Sequence, residues 1–162
     1  EEEHLHIQLL SGILQMGKSS RLYKRLVSKG LALSLYAEDY PNIDEGLFVL
    51  YAALTPNCSH EEVEAIMLEE IDRLKSEPVL KEELERVKNM IEAQQVYERG
   101  SFFASLSQVN EAIALKDWCY YLDYPKRMAK VSPQDLLKTA KKYLIEDSST
   151  TGYFIPKDGE TA

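Results

Sequence analysis

An uncharged, largely apolar stretch occupies residues 47–54, and it predicts a β-strand with cover on most of both faces. Residues 31–36 alternate leucine with other side chains, which is the period-two pattern of a second strand. The turn-rich residues 41–46 between them predict that the two strands pair antiparallel. A further alternating stretch at residues 149–155 predicts a third strand. Because three short strands make a poor sheet, we expect the missing neighbours to lie before residue 1 or to come from a partner.

Apolar residues at helical spacing dominate the rest of the chain. The predicted helices, about six in number, span residues 4–16, 21–29, 60–77, 81–115, 118–129 and 133–144. Their expected ends are marked by Gly17 and Gly30 as stops and by Ser19 or Ser20, Ser59 and Ser132 as N-terminal caps. The predicted fold class is therefore α+β. We expect an antiparallel sheet packed by helices, incomplete at its N-terminus, in a single domain over residues 1–162.

The net charge and the distribution of apolar residues exclude two classes of partner. The 162-residue chain carries a net charge of −8, whereas a nucleic-acid surface requires a basic face. The chain contains no run of roughly 18 apolar residues, so no membrane span is expected. Cys58 and Cys119 are too few for a disulfide framework or a Cys-based zinc site. They are either two free buried thiols or the two ends of a single bridge.

Side chains that carry chemistry are sparse, and they lack a catalytic spacing. His4, His6 and His60 form neither H-E-x-x-H nor the inverted H-x-x-E-H. No nucleophile is paired with a base, so we expect no catalytic and no metal-binding residue in this chain. Ser19 and Ser20 at a helix start could hold an anion, but the phosphate-loop pattern is absent and a plain cap is favoured. Charged residues at helical spacing are interpreted as solvated faces: Arg21, Lys24, Arg25 and Lys29 on one helix, and Glu69, Glu70, Asp72, Glu82, Glu83 and Glu85 on two others.

Five segments along the chain resemble, in the same order, five segments of one protein family. Residues 14–32 read LQMGKSSRLYKRLVSKGLA, residues 80–89 read LKEELERVKN, residues 96–101 read VYERGS, and residues 45–49 and 131–144 add two more matches. Together they resemble the insulinase/pitrilysin-type zinc metallopeptidases, whose zinc motif is the inverted H-x-x-E-H. The likeness extends over nearly the whole chain.

This resemblance implies two similar domains that close a chamber over an unfolded peptide. One domain carries the zinc helix, and the other, whose later part this chain resembles, is catalytically silent. Zinc is then expected in the partner domain, in the same chain or in a second subunit, and none in this chain. The expected substrate is a peptide. In processing-peptidase relatives a glycine-rich loop touches it, which places Gly17 and Lys18 on the substrate side.

Three functional hypotheses follow. The main one is the non-catalytic half of a zinc metalloendopeptidase, which forms the chamber wall and helps to hold peptide. The alternative is an inactive structural or assembly subunit that resembles processing-peptidase or respiratory-complex core proteins. It is favoured by Val27 and Leu33, the nearest positions to a substrate-holding Arg and Tyr of the family. The third is an unrelated helical binding module. Similar bacterial proteins are often exported, which points to the periplasm.

Overall fold

The two central strands form an antiparallel pair, as predicted. The computed structural model describes residues 2–40, 46–56, 58–98, 106–107, 109–110, 113 and 118–155. Strand β1 spans Ala32–Tyr40 and strand β2 spans Leu47–Leu54. The register places Tyr36 opposite Tyr51 and Ala37 opposite Leu50, with a bulge near the start of β1. Since side chains alternate along a strand, this register assigns each residue of the hairpin to one of two faces.

Five α-helices with described bounds accompany the hairpin. They are α1 (Glu2–Gln15), α2 (His60–Ser76), α3 (Lys81–Glu98), α4 (Trp118–Lys130) and α5 (Pro133–Tyr143), with a π-helical turn at Tyr23–Val27 and a 3-10 turn at Glu146–Ser148. Helix α1 packs on β1, α3 and α5, and α2 packs on β2 and α5. None of the helices in these ranges combines the length and the apolar content that a membrane crossing requires.

Helix α1 lies at the centre of the core. Its leucines and isoleucines are almost wholly buried, and they join apolar residues from every layer: Leu5, Leu9, Leu10, Ile13, Leu14, Leu26, Leu74, Leu84, Val87 and Leu136. Ala37 on β1 is buried beneath α1, where the Ser11 hydroxyl donates to the Ala37 carbonyl. At Gly12 the backbone of α1 approaches Val87 of α3 so closely that even a Cβ would overlap with it. The missing side chain is therefore what allows these two helices to approach.

Local capping explains most of the helix boundaries. Ser59 accepts a hydrogen bond from the Glu62 N–H at the start of α2, and Ser132 forms a capping box with Asp135 at the start of α5. Leu80 precedes α3 and has no side-chain acceptor to cap it, but Glu83 accepts from the Leu80 N–H at 3.2 Å. A carboxylate at the third helical position therefore supplies one half of a capping box.

Three predictions about the elements are wrong within the described residues. Residues 149–155 form no strand, and they pair with neither β1 nor β2. Ser20 does not cap the second helix: its hydroxyl is buried without a hydrogen-bond partner, and the turn at Tyr23–Val27 begins without a side-chain cap. The helices cover one face of β2, not most of both.

Some predictions lie outside the described residues. They are the loop at 41–45, most of the helix beyond Glu98, and the side chain of Cys119. Cys58 is described as a free, partly buried thiol whose Sγ lies 2.9 Å from the Leu31 carbonyl. The single domain over residues 1–162 stays a prediction.

Candidate functional site

The turn that carries Gly17 and Lys18 follows the last residue of α1. Gly17 has φ +80°, a left-handed conformation that disfavours any residue with a Cβ. The Ser20 N–H donates to the Gly17 carbonyl at 3.1 Å and closes the turn. Lys18 is exposed, and no ion pair or hydrogen bond of its side chain is found among the described residues. The turn therefore presents an unpaired cation at the surface.

Two side chains of helix α3 contact this turn. Arg86 Nη1 donates to the Met16 carbonyl at 2.6 Å. A Cβ at Gly17 would lie 3.1 Å from Cε of Met90, so the turn also rests directly on an α3 side chain. These contacts fix the backbone just before Lys18 and limit the positions its ammonium group can reach.

A bidentate ion pair holds the other end of the turn. Arg21 donates from Nε and Nη2 to the two carboxylate oxygens of Glu83, at 3.0 and 2.7 Å. Burial alone would raise the pKa of Glu83, but the hydrogen bonds and the charge of Arg21 outweigh it and hold that pKa below its ordinary value. Two parallel hydrogen bonds also fix the direction of the guanidinium group. The turn is thus tied to α3 on both sides.

Glu70 of α2 lies behind this pair and is 1 % exposed. Its Oε1 accepts from Arg25 at 2.9 Å and from Arg73 at 3.1 Å, and its Oε2 lies 3.8 Å from Arg21 Nη1. The interpretation of these charges as solvated faces is therefore wrong for Arg21, Glu70 and Glu83. A signal was present in the sequence, because Glu70 occupies the apolar stripe of α2 between Val63 and Leu74.

The face of the hairpin away from the helices is exposed and rich in tyrosine. We call it the outward face, and in the register its members are Ser34, Tyr36, Glu38, Tyr40, Leu47, Val49, Tyr51 and Ala53. The Tyr36 and Tyr51 rings lie 6.2 Å apart between centroids. Leu47 is 62 % exposed although it is a large aliphatic side chain. This face was not predicted from the sequence, although the spacing of Tyr36, Glu38 and Tyr40 at every second residue is a signal for it.

The histidines do not fit a zinc site. His4 Nδ1 lies 2.5 Å from an Asp39 oxygen, and His6 Nδ1 lies 2.9 Å from the Thr139 hydroxyl. The His60 and Tyr153 rings are tilted against each other, with centroids 5.1 Å apart. Each ring thus has a different partner in a different part of the fold. Among the described residues, no three His, Cys, Asp or Glu side chains come together as a metal site would require.

Comparison with known proteins agrees with the fold. The family model described as the peptidase M16 inactive domain matches residues 1–91, more than half of the chain. A protein named zinc protease PqqE from Helicobacter pylori is 24 % identical over 163 residues, which cover 96 % of this chain. The chain spans about a third of that relative's length, 35 %.

Two crystal structures are similar over nearly the whole chain. One, from Bordetella parapertussis and described as an inactive peptidase domain, has a TM-score of 0.86 at 25 % identity and covers 100 % of this chain and 87 % of its own. The other, a candidate zinc protease from Bordetella pertussis Tohama I, has a TM-score of 0.84 at 26 % identity and covers 96 % of this chain and 86 % of its own. These matches contradict the hypothesis of an unrelated helical binding module.

Proposed function

Because the chain belongs to the family of peptidase M16 inactive domains, we propose that it is the non-catalytic half of a zinc-dependent metalloendopeptidase. In this proposal it forms the chamber wall opposite a zinc-bearing domain and helps to hold the peptide substrate. The zinc-bearing domain belongs to the same family and lies in the same chain or in a second subunit.

The observation that carries the proposal is the one-sided cover of the hairpin. Helices α1 and α2 bury one face of β1 and β2, while Tyr36, Leu47 and Tyr51 on the outward face stay exposed. Exposed apolar surface of this kind is uncommon on a complete monomer and is typical of a binding or contact surface. A wall that faces a peptide-filled chamber gives this surface a role.

In this proposal, catalysis belongs to the partner domain and enclosure of the substrate to this chain. The described side chains include no metal-binding group, and the sequence lacks H-x-x-E-H. The partner's zinc would supply a polarised water and the Glu of that motif a general base. This chain would enclose the peptide, exclude folded proteins by size and offer the Lys18 ammonium to a peptide carbonyl or carboxylate.

The test is to measure peptide hydrolysis by the zinc-bearing partner with and without this chain. We expect one zinc per pair, and a kcat/KM for peptide that falls at least about a hundredfold without this chain, because positioning of the substrate is lost. Lys18→Ala should raise KM with little change in kcat, as expected when a uniform binding contact is removed. Lys24→Ala is the matched control, since Lys24 is an exposed lysine on the same segment. A partner that cleaves equally well alone would overturn the proposal.

The alternative is an inactive structural or assembly subunit. The observation that favours it is the pair Val27 and Leu33, apolar residues nearest to the positions of the substrate-holding Arg and Tyr of related domains. Val27 packs against the core and Leu33 is 70 % exposed, so neither offers a hydrogen bond from its side chain. If the natural partner of this chain lacks both H-x-x-E-H and zinc, the structural subunit is the correct reading.

A further inference from the structure

We propose that the outward face of the hairpin selects its peptide by sequence. The favoured ligand is an extended segment with large apolar side chains at positions i and i+4 and a basic side chain at i+2. This inference rests on the proposed function, because it concerns the same wall, and it adds the class of peptide that the wall would hold.

The register of the hairpin produces this spacing. Tyr36 lies opposite Tyr51, and four residues further along β1 Tyr40 lies opposite Leu47. Residues four apart in a strand are separated by about 13 Å. The outward face therefore carries two apolar pairs about 13 Å apart, which is also the distance between side chains i and i+4 of an extended peptide.

The charge between the two apolar pairs determines which side chain is favoured at position i+2 of the peptide. Glu38 lies between Tyr36 and Tyr40 on the same face, opposite Val49. Among the outward-face residues it is the only one with a charged side chain. The Tyr40 hydroxyl donates to a Glu38 oxygen at 2.6 Å and holds the carboxylate on this face. A basic side chain at i+2 would complement this carboxylate, and the rings of Tyr36 and Tyr40 on either side favour a cation.

Tyr40 also keeps its proton in this arrangement. The hydrogen bond to Glu38 and the charge of that carboxylate raise the pKa of Tyr40 above its ordinary value. The hydroxyl therefore stays a donor to Glu38 at neutral pH.

The binding test uses the 162-residue chain and short peptides that carry fluorescein. The probe peptide contains Phe-Ser-Arg-Ser-Phe, and three matched peptides replace both Phe by Ala, replace Arg by Glu, or bring the two Phe residues together. Fluorescence anisotropy measures Kd for each peptide. We expect the probe to bind about tenfold more tightly than the first and third matched peptides, as the loss of aromatic contacts predicts. Replacing Arg by Glu should weaken binding about two- to fivefold.

Variants of the face locate the interaction. Tyr36→Ala combined with Tyr51→Ala should weaken binding of the probe about tenfold, whereas Tyr97→Ala should leave it unchanged. Tyr97 is the matched control because it is 87 % exposed and lies on α3. Glu38→Lys should reverse the preference, so that the peptide with Glu binds more tightly than the one with Arg. Far-ultraviolet circular dichroism checks that each variant is folded.

The outcomes separate this inference from the proposed function. Equal binding of all four peptides, an unchanged preference in Glu38→Lys, or no binding at all overturns the inference. Sedimentation velocity tests whether a second copy of this chain occupies the face. A dimer that the double tyrosine variant converts to monomer would also overturn the inference. If the assembled peptidase needs this chain but its activity is insensitive to Glu38→Lys, this inference fails and the proposed function stands. If the partner cleaves equally well alone, the proposed function fails.

Discussion

The close approach of α1 and α3 at Gly12 offers a sharp test of the packing. Gly12 of α1 faces Val87 of α3, and a Cβ added at Gly12 would lie 2.4 Å from Val87 Cγ1. Ordinary carbon contacts begin near 3.4 Å, so Val87 would have to retreat by about 1 Å. Val87 is fully buried, and a β-branched side chain in a helix has essentially one rotamer. In Gly12→Ala, Val87 therefore cannot avoid the overlap by changing its rotamer.

The expected magnitude follows from two opposing effects. Overpacking of a core costs about 1–3 kcal/mol, and an overlap this deep belongs at the upper end. Replacing Gly by Ala inside a helix gains about 1 kcal/mol of helix propensity. The net prediction for Gly12→Ala is a loss of about 2 kcal/mol in the free energy of unfolding. Val87→Ala alone should cost about 2 kcal/mol through lost burial and a small cavity.

The double variant distinguishes this explanation from a general helix effect. In Gly12→Ala with Val87→Ala the new methyl group occupies space that the valine vacated. The double variant should lose less free energy of unfolding than the two single variants together, by about 2–3 kcal/mol. Urea unfolding followed by circular dichroism at 222 nm measures each value. Ala93→Gly, at an exposed position of α3, measures the effect of helix propensity without a change in core packing. A Gly12→Ala chain that is more stable than the parent, or a strictly additive double variant, would refute the reasoning.

The remaining predictions concern the buried charges. Glu70→Ala should cost about 1–3 kcal/mol, because Arg21 and Arg25 each lose a buried carboxylate and keep Glu83 and Glu69, respectively, as partners. Glu69→Ala removes an exposed partner of the same arginine network and should cost at most about 1 kcal/mol; equal losses in urea unfolding would argue against the buried network. Lys88→Met should cost about 2 kcal/mol, because the buried ammonium of Lys88 donates to the carbonyls of Ala129 and Val131 at the C-terminal end of α4. The lowered pKa of Glu83 stabilises the fold above the unfolded value of 4.5, and this contribution disappears as pH falls through the folded pKa. Stability measured between about pH 5 and pH 3 should fall less steeply in Glu83→Gln than in the parent; an identical slope would contradict the assignment.

Much of the secondary structure could be predicted because its signals are local. Gly30 ends its helical segment with φ +73°, and Ser132 begins α5 through bonds to a residue three positions away. These interactions need only neighbouring residues, so the pattern of residue types was sufficient. Residues 149–155 alternate as a strand does, yet a strand also needs a pairing partner for its backbone groups, and these residues pair with neither β1 nor β2. Alternation without a pairing partner therefore gave a wrong prediction.

The candidate site was predicted less completely, for a different reason. Gly17 was correctly identified as a turn glycine, and Lys18 follows it at the surface. The tie between Arg21 and Glu83 joins residues that are 62 positions apart. Charge and spacing alone made both residues look solvated. Only the approach of α3 to the turn converts them into a part-buried pair, because a carboxylate and a guanidinium group lose their water only when a third element covers them.

The sequence by itself determined the family, the α+β class, the positions of most helices and the absence of a zinc motif. Each of these depends on residue types at short spacing, which can be read without coordinates. The tertiary structure alone decided which charges are buried around Glu70 and which face of the hairpin lies open at Tyr36 and Tyr51. Burial is a property of how distant segments pack, and the same glutamate or tyrosine is solvated or enclosed according to the helix that lies over it.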